Sequence, residues 1–443
     1  MSSINEPPTT TTTTPPRVLM LSWEYPPVVV GGLGRHVHAL ATTLAASGHE
    51  VTVVTRHAPG APLEEYAEGV QIVRVPEDPP TFPLATPSLL AWTMAFNHTL
   101  TRAALRQTLT KKYDVIHAHD WLVAHTAVTL REHLNLPLVA TIHATEAGRH
   151  QGWLPEDLNK CIHSVEWWLA HEACKVLVCS EYMKWEVIRL LDLHDAAVEV
   201  IPNGVNERRW RAPKRAVTAT RERFAGEGPL IAYAGRLVYE KGVQDLLAAL
   251  PELRKRHPGL RAVIAGDGPH RAELEQQTQW LGLGDDVHFT GFMTERELPA
   301  LLAAADTVVV PSLYEPFGMV ALEAASAGAP LAVSRTGGLL EIVTPGQTGM
   351  TFSTGNPEEL GQAVSALLDN TAAARRSVTR ARSMIRKGYL WPVIGARTSA
   401  AYAATIDEAS VFRTGHHTST TAGERPVIVV PEGNLLALVG APS

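Results

Sequence analysis

The feature that most constrains the fold is a pattern that runs twice. Short β-branched runs alternate with helical stretches from residue 17 to about residue 200, and the alternation restarts at Leu230. In the first half, strands are predicted at 17–22, 50–55, 70–75, 115–118, 138–142, 176–179 and 198–201, with a helical pattern over 33–46. In the second half they fall at 230–234, 261–265, 287–290, 307–311 and 330–334. Helices are predicted there near 243–256, 271–280, 295–304, 317–327 and 357–369. A strand, a helix and a further strand make a crossover unit, and serial crossovers build a parallel sheet covered on both faces. At 443 residues the chain is also too long for one typical core. Two α/β units of about 200 and 180 residues therefore predict two Rossmann-like domains facing a central cleft, with ligands at the strand C-termini.

The expected boundaries follow composition. Residues 1–16, rich in Thr and Pro, lack the charge and apolar core of a signal peptide and read as a disordered tail. Residues 17–210 form the first domain, the polar and broken stretch 211–229 a linker, and 230–392 the second domain. A closing helix is expected at 393–409 and a tail at 410–443, with one short apolar run at 427–431.

Bulk properties narrow the function. A net charge of -6 offers no basic field for nucleic acid. No apolar run approaches the ~20 residues of a membrane span, so no integral membrane segment is expected. Cys161, Cys174 and Cys179 have no metal spacing and read as free thiols of a cytoplasmic protein.

Glu315 and Glu323 carry the most specific chemical signal. Pro316 cannot sit inside a helix, so Glu315 belongs to the loop before one, and Glu323 falls within that helix's first two turns. Two carboxylates then approach one pocket at a helix N-terminus, where phosphate also prefers to bind. Acceptor carboxylates beside an anion site suit a ligand with both sugar hydroxyls and a pyrophosphate, such as a sugar nucleotide.

Three glycine-bearing loops stand at equivalent strand-to-helix places. Gly31, Gly32 and Gly34 close the first, and its pattern is not G-x-G-x-x-G, against a nicotinamide dehydrogenase. The second, 235–242 (Gly-Arg-Leu-Val-Tyr-Glu-Lys-Gly), brings Arg236 and Lys241 across a turn, a planar fork and a point charge for a diphosphate. The third holds Thr336, Gly337 and Gly338, whose amides are expected over the same phosphates. Each alone also fits an ordinary turn; the set is what points to one cleft ligand. His117, His119, Asp120 and His143 sit at strand ends. Without an H-x-x-x-H motif or a carboxylate cage, hydrogen-bonding or acid–base roles are expected and a metal is not. Most tryptophans read as core, but Trp121 and Trp153 adjoin cleft motifs and offer faces for sugar rings.

With these motifs, and with 201–205 (Ile-Pro-Asn-Gly-Val), the chain over roughly 17–409 resembles the retaining glycosyltransferases of family four, which have the GT-B fold. The runs 22–29, 117–125 and 141–149 look closer to the actinobacterial glycogen-synthase-like α-1,4-glucosyltransferases, linked to glycogen and methylglucose lipopolysaccharide. The resemblance implies that Arg236 and Lys241 stabilise the departing nucleoside diphosphate, and that Glu315 binds donor hexose hydroxyls. The amides of Gly318, Gly337 and Gly338 lie nearby, with Phe317 beside them. Glu323 holds the ribose. His143 meets the donor C6 hydroxyl, Asp120 lies near the reacting face, and Gly31 and Gly32 lie over the phosphates. It further implies front-side attack without metal or other cofactor, an ADP-glucose or UDP-glucose donor, and an oligo- or polysaccharide acceptor, with room for an oligomer. Related bacterial starch and glycogen synthases often carry Lys where this chain has Val29, which leaves both donors open. The rivals are a GDP-mannose-dependent mannosyltransferase and a non-catalytic GT-B sugar-nucleotide binder.

Overall fold

The computed structural model describes residues 15–76 and 88–418, with side chains through residue 410. The expected tail before residue 15 and the apolar run 427–431 lie outside the described residues.

Among these residues there are two sheets. The first contains β1 (Val18–Leu21), β2 (Val51–Arg56), β3 (Glu64–Ala67), β4 (Val70–Val75), β5 (Val115–His119), β6 (Leu138–Ile142), β7 (Lys175–Val178) and β8 (Val198–Val200), in the order β3-β4-β2-β1-β5-β6-β7-β8. The second contains β9 (Leu230–Ala234), β10 (Arg261–Ala265), β11 (Val287–Gly291), β12 (Thr307–Val310), β13 (Leu331–Ser334) and β14 (Met350–Phe352), in the order β11-β10-β9-β12-β13-β14. All pairings but one are parallel; β3 runs antiparallel to β4 and caps that edge. β1 is buried at every position, as a strand covered on both faces must be. The strand order reverses around β1/β5 and β9/β12, and those are the crevices where an open α/β sheet binds ligands.

The structure departs from the sequence expectations in several places, and it adds the edge strand β14 and a helix at Thr371–Gly388 that the sequence patterns did not predict. The stretch 211–229 is not an extended linker, because Lys214–Phe224 is a helix that packs on the helix Glu297–Ala304. Its Arg221 donates to Asp306 at 2.9 Å and to the carbonyls of Ala304 and Gly228, fixing it to the second domain. The hairpin strand β3 was not expected, since its sequence Glu-Glu-Tyr-Ala is polar and has no buried position. The closing helix begins at Trp391 and continues past residue 409 to Thr418. It returns to the first domain, where Ile394, Ala401 and Tyr402 bury against Val37, Leu40 and Leu44 of the helix Gly32–Ala46. No helix among the described residues is long and apolar enough to cross a membrane.

Candidate active site

A cleft cavity of about 1080 Å³ lies between the two sheets. Its lining includes Gly31, Gly32, Asp120, His143, Arg236, Lys241, Glu315, Phe317, Gly318 and Glu323. These come from loops at the C-terminal ends of strands in both domains, so the topology gathers residues spread over most of the chain.

In the second domain, Gly318 starts the helix Met319–Ala327 with φ 106, a conformation that favours glycine. Glu315 precedes it. The Lys241 ammonium donates to Glu315 Oε2 at 2.9 Å, and the Ser312 hydroxyl donates to the same oxygen at 3.0 Å. Arg236 is exposed into the cavity from the turn after β9. A cation and a carboxylate are thus poised side by side, one for phosphate and one for hydroxyls. Glu323, only 3 % exposed, accepts from Arg35 Nη1 of the first domain at 2.8 Å. Burial raises its carboxyl pKa, and the Arg35 charge partly offsets this.

Gly337 and Gly338 have a different place from the one expected. They do not line the cavity; they stand behind Glu315, whose carbonyl accepts the Gly338 N–H at 3.1 Å. A Cβ at Gly338 would meet the Pro316 carbonyl oxygen at 2.6 Å, so glycine here permits close backbone packing. Phe317 is buried and packs near Tyr389, with ring centroids 6.2 Å apart.

In the first domain, the Gly31 amide is committed to an internal carboxylate. Val30, Gly31 and Gly34 donate to Glu24 Oε2 at 2.8, 3.1 and 3.4 Å. Glu24 is buried at the floor of the loop and holds its shape, while burial raises its pKa against the pull of those donors. Gly32 begins the helix and faces the cavity. Asp120 sits at φ 61 after β5, and its Oδ1 accepts the His143 backbone N–H at 2.8 Å. Burial raises the Asp120 pKa to about 6, against the opposing His143 hydrogen bond and the Arg149 charge. Burial lowers the His143 imidazole to about 4, so it is neutral at physiological pH. His143 Nε2 lies 3.2 Å from His119 Nδ1. His117 is structural, its two ring nitrogens bonded to Tyr402 and Thr141 at 2.7 Å each. Trp121 lines the cavity, whereas Trp153 is 71 % exposed and does not.

Sequence reasoning missed Glu24, Arg35 and Arg149 as cleft groups. Arg149 extends from the short helix Glu146–Arg149 and also lines the cavity. Its only signal was its place in the run 141–149.

Comparison with known proteins gives the family. Residues 30–209 match Glycosyltransferase Family 4, and residues 216–384 match Glycosyl transferases group 1. A glycogen synthase of Mycobacterium tuberculosis is 43% identical over 399 residues, covering 88% of this chain and 94% of that protein. The sucrose-phosphate synthase of Thermosynechococcus elongatus has a TM-score of 0.78 at 25% identity, over 89% of this chain and 100% of that one. The catalytic domain of starch synthase IV from Arabidopsis thaliana, bound to ADP and acarbose, has a TM-score of 0.72 at 21% identity, over 89% of this chain and 100% of that one. With two parallel-sheet domains facing one cleft, the fold is GT-B, and the chain belongs to glycosyltransferase family four as a hexosyltransferase of its glycogen-synthase-like branch.

Proposed function

We propose that this protein transfers glucose from ADP-glucose or UDP-glucose to an α-1,4-glucan or glucose-containing acceptor with retention of configuration, in the cytosol and without a metal. The observation that carries the reading is the convergence of Arg236, Lys241, Glu315, Glu323 and His143 on one cavity. The mycobacterial glycogen synthase adds the sugar class, and the ADP and acarbose of starch synthase IV give the kind of donor product and acceptor that such a cleft holds.

In the proposed reaction the glycosidic C1–O bond to the diphosphate breaks and the acceptor hydroxyl bonds to C1 from the same face. The acceptor's proton passes to the leaving phosphate oxygen. Negative charge grows on the diphosphate, so Arg236, Lys241 and the amides at the start of the helix Met319–Ala327 give most of the stabilisation. Lys241 is held beside Glu315 at 2.9 Å, so its charge is already in the cleft before the donor arrives. Glu315 turns to sugar hydroxyls, and Glu323 exchanges Arg35 for the ribose hydroxyls. Asp120, as the anion, favours the positive character that develops on the sugar ring.

A panel of ADP-, UDP- and GDP-sugars with maltooligosaccharide acceptors tests this, read by nucleotide release and product mass. Lengthening of the glucan by hexose units with an ADP- or UDP-glucose donor is the expected result. Transfer only from GDP-mannose to another acceptor would replace the reading with the mannosyltransferase. Binding of sugar nucleotide without turnover on any acceptor would leave a non-catalytic binder.

A further inference from the structure

Three histidines that come from distant parts of the chain meet at the floor of the cleft. His36 lies in the first turns of the helix Gly32–Ala46, His119 ends β5, and His143 follows β6. One ring nitrogen from each lies within 4.8 Å of the others. The His119 Nδ1 to His143 Nε2 distance is 3.2 Å. That matches the ligand–ligand edge of about 3.3 Å in a tetrahedron with metal–nitrogen bonds near 2.0–2.1 Å. The His36 ring stands edge-on to His143, with centroids 4.8 Å apart.

Two further nitrogens in the cluster, His36 Nδ1 and His119 Nε2, are buried and have no hydrogen-bond partner among the described residues. An unsatisfied buried polar atom costs about 1–3 kcal/mol, and an ion bound at His36 Nδ1 would remove one of the two. A neutral imidazole carries one lone pair, so moving the proton shared between His119 Nδ1 and His143 Nε2 to the far nitrogen of its ring frees both for an ion. Neutral imidazole suits zinc and its neighbours in the transition series, and not magnesium or calcium. Entry is open, because His36 and His143 both line the cavity.

The geometry points to a transition-metal site for an ion of the zinc class, formed by His36, His119 and His143 and inhibitory to sugar transfer. The inhibitory half rests on the proposed function, in which the His143 side chain meets the donor sugar. A bound ion takes His143 Nε2 away from the sugar. It also places two positive charges where the ring itself becomes positive, which opposes the reaction. Closing the site draws the three ring nitrogens, now within 4.8 Å of one another, to the spacing of about 3.3 Å that a tetrahedral ion requires. The fourth position faces the cleft and takes water.

Cobalt is the spectroscopic probe. The full chain, treated with EDTA and dialysed, is titrated with Co²⁺ in the absence of nucleotide. The expected result is visible ligand-field absorption saturating at one ion per chain, without the near-ultraviolet sulfur-to-cobalt band that the exposed thiols Cys161 and Cys174 would give. Zn²⁺ should displace the cobalt. In the transfer assay it should lower turnover at least tenfold, with recovery on adding EDTA. His36→Asn and His119→Asn, each first shown by thermal unfolding to be folded, should both lose the visible band. Either variant suffices if the other does not fold. A featureless spectrum, a thiolate band, or cobalt absorption retained in both folded variants overturns the site. Zinc binding that leaves turnover unchanged or raises it overturns the inhibition. If no sugar nucleotide is turned over at all, the functional reading fails while the cobalt spectrum still decides the metal site.

Discussion

Glu315 and Lys241 show how far single residues were legible. Their types and spacing placed a carboxylate and a cation in one cleft, and the structure brings them to 2.9 Å. Either partner alone is a charge in a partly dry site, so removing one harms both the pair and the developing diphosphate charge. Glu315→Ala and Lys241→Ala should each lower kcat by about 100-fold or more, or roughly 2.7 kcal/mol of barrier, with the unfolding midpoint in urea little changed. Turnover within threefold of the unaltered chain would remove that residue from the site. Asp120 gives a second prediction. Its pKa is raised to about 6, above the ordinary carboxylate value, so it takes up a proton as pH falls through that range. The sign follows for activity: the anion aids the positive sugar, so kcat should rise with pH through about 6 and level off above it. For stability the sign is opposite, since the raised pKa favours the folded state below about pH 4 and that contribution is lost as pH climbs through 6. Asp120→Asn should abolish this acid limb, which a pH–rate profile measures. What the sequence could not show was Glu24, because nothing in a lone Glu near a Pro-Pro turn tells that three amides will close on it.

At the level of elements, strands buried on both faces were read almost to the residue. β6 and β9 have the bounds expected from their apolar runs alone. The helix Lys214–Phe224 was hidden for the converse reason: its only buried residue is Phe224, so it has almost no apolar stripe to detect. The short helix Glu146–Arg149 shows how tightly an element can be specified by polar contacts. Thr145 caps it, accepting from the Gly148 N–H at 2.9 Å, and donates to Glu186 Oε1 at 2.6 Å. Tyr314 from the other domain donates to the same Glu186 oxygen at 2.8 Å. A Cβ at Gly148 would run into all three groups, with Thr145 Oγ1 at 2.6 Å. Gly148→Ala should therefore cost about 1–3 kcal/mol by overpacking, read as a lower urea midpoint, and also weaken the transfer activity because Arg149 sits on the same turn. Unchanged stability would mean that this network yields freely.

At the level of the whole molecule, the domains are joined by the groups that shape the cleft. Ser180 donates to the Pro316 carbonyl at 2.6 Å, the Glu181 and Tyr182 amides both donate to Glu341, and Arg35 pairs with Glu323. The repeated α/β pattern gave no information about these pairings, because each depends on how one domain is rotated against the other. The closing helix Trp391–Thr418 is the largest such connection, and it tests the argument. Trp391 lies edge-on to His36 at 5.4 Å, and Tyr402 is fully buried with its hydroxyl 2.7 Å from His117 Nδ1. Tyr402→Phe keeps the ring but leaves the His117 nitrogen without its partner in a dry setting, which costs about 1–3 kcal/mol. Ending the chain at residue 390 is far more severe, since it bares Val37, Leu40 and Leu44 together and removes Trp391 from beside His36. The shortened chain should show little soluble protein, or a separate early unfolding step assigned to the first domain. Tyr402→Phe should still unfold in one step at a lower urea concentration. If the chain ended at residue 390 instead unfolds like the full one, the helix is a passive appendage and the first domain holds its core alone. The helix therefore has to be counted with the first domain's fold, although the second domain's sequence precedes it.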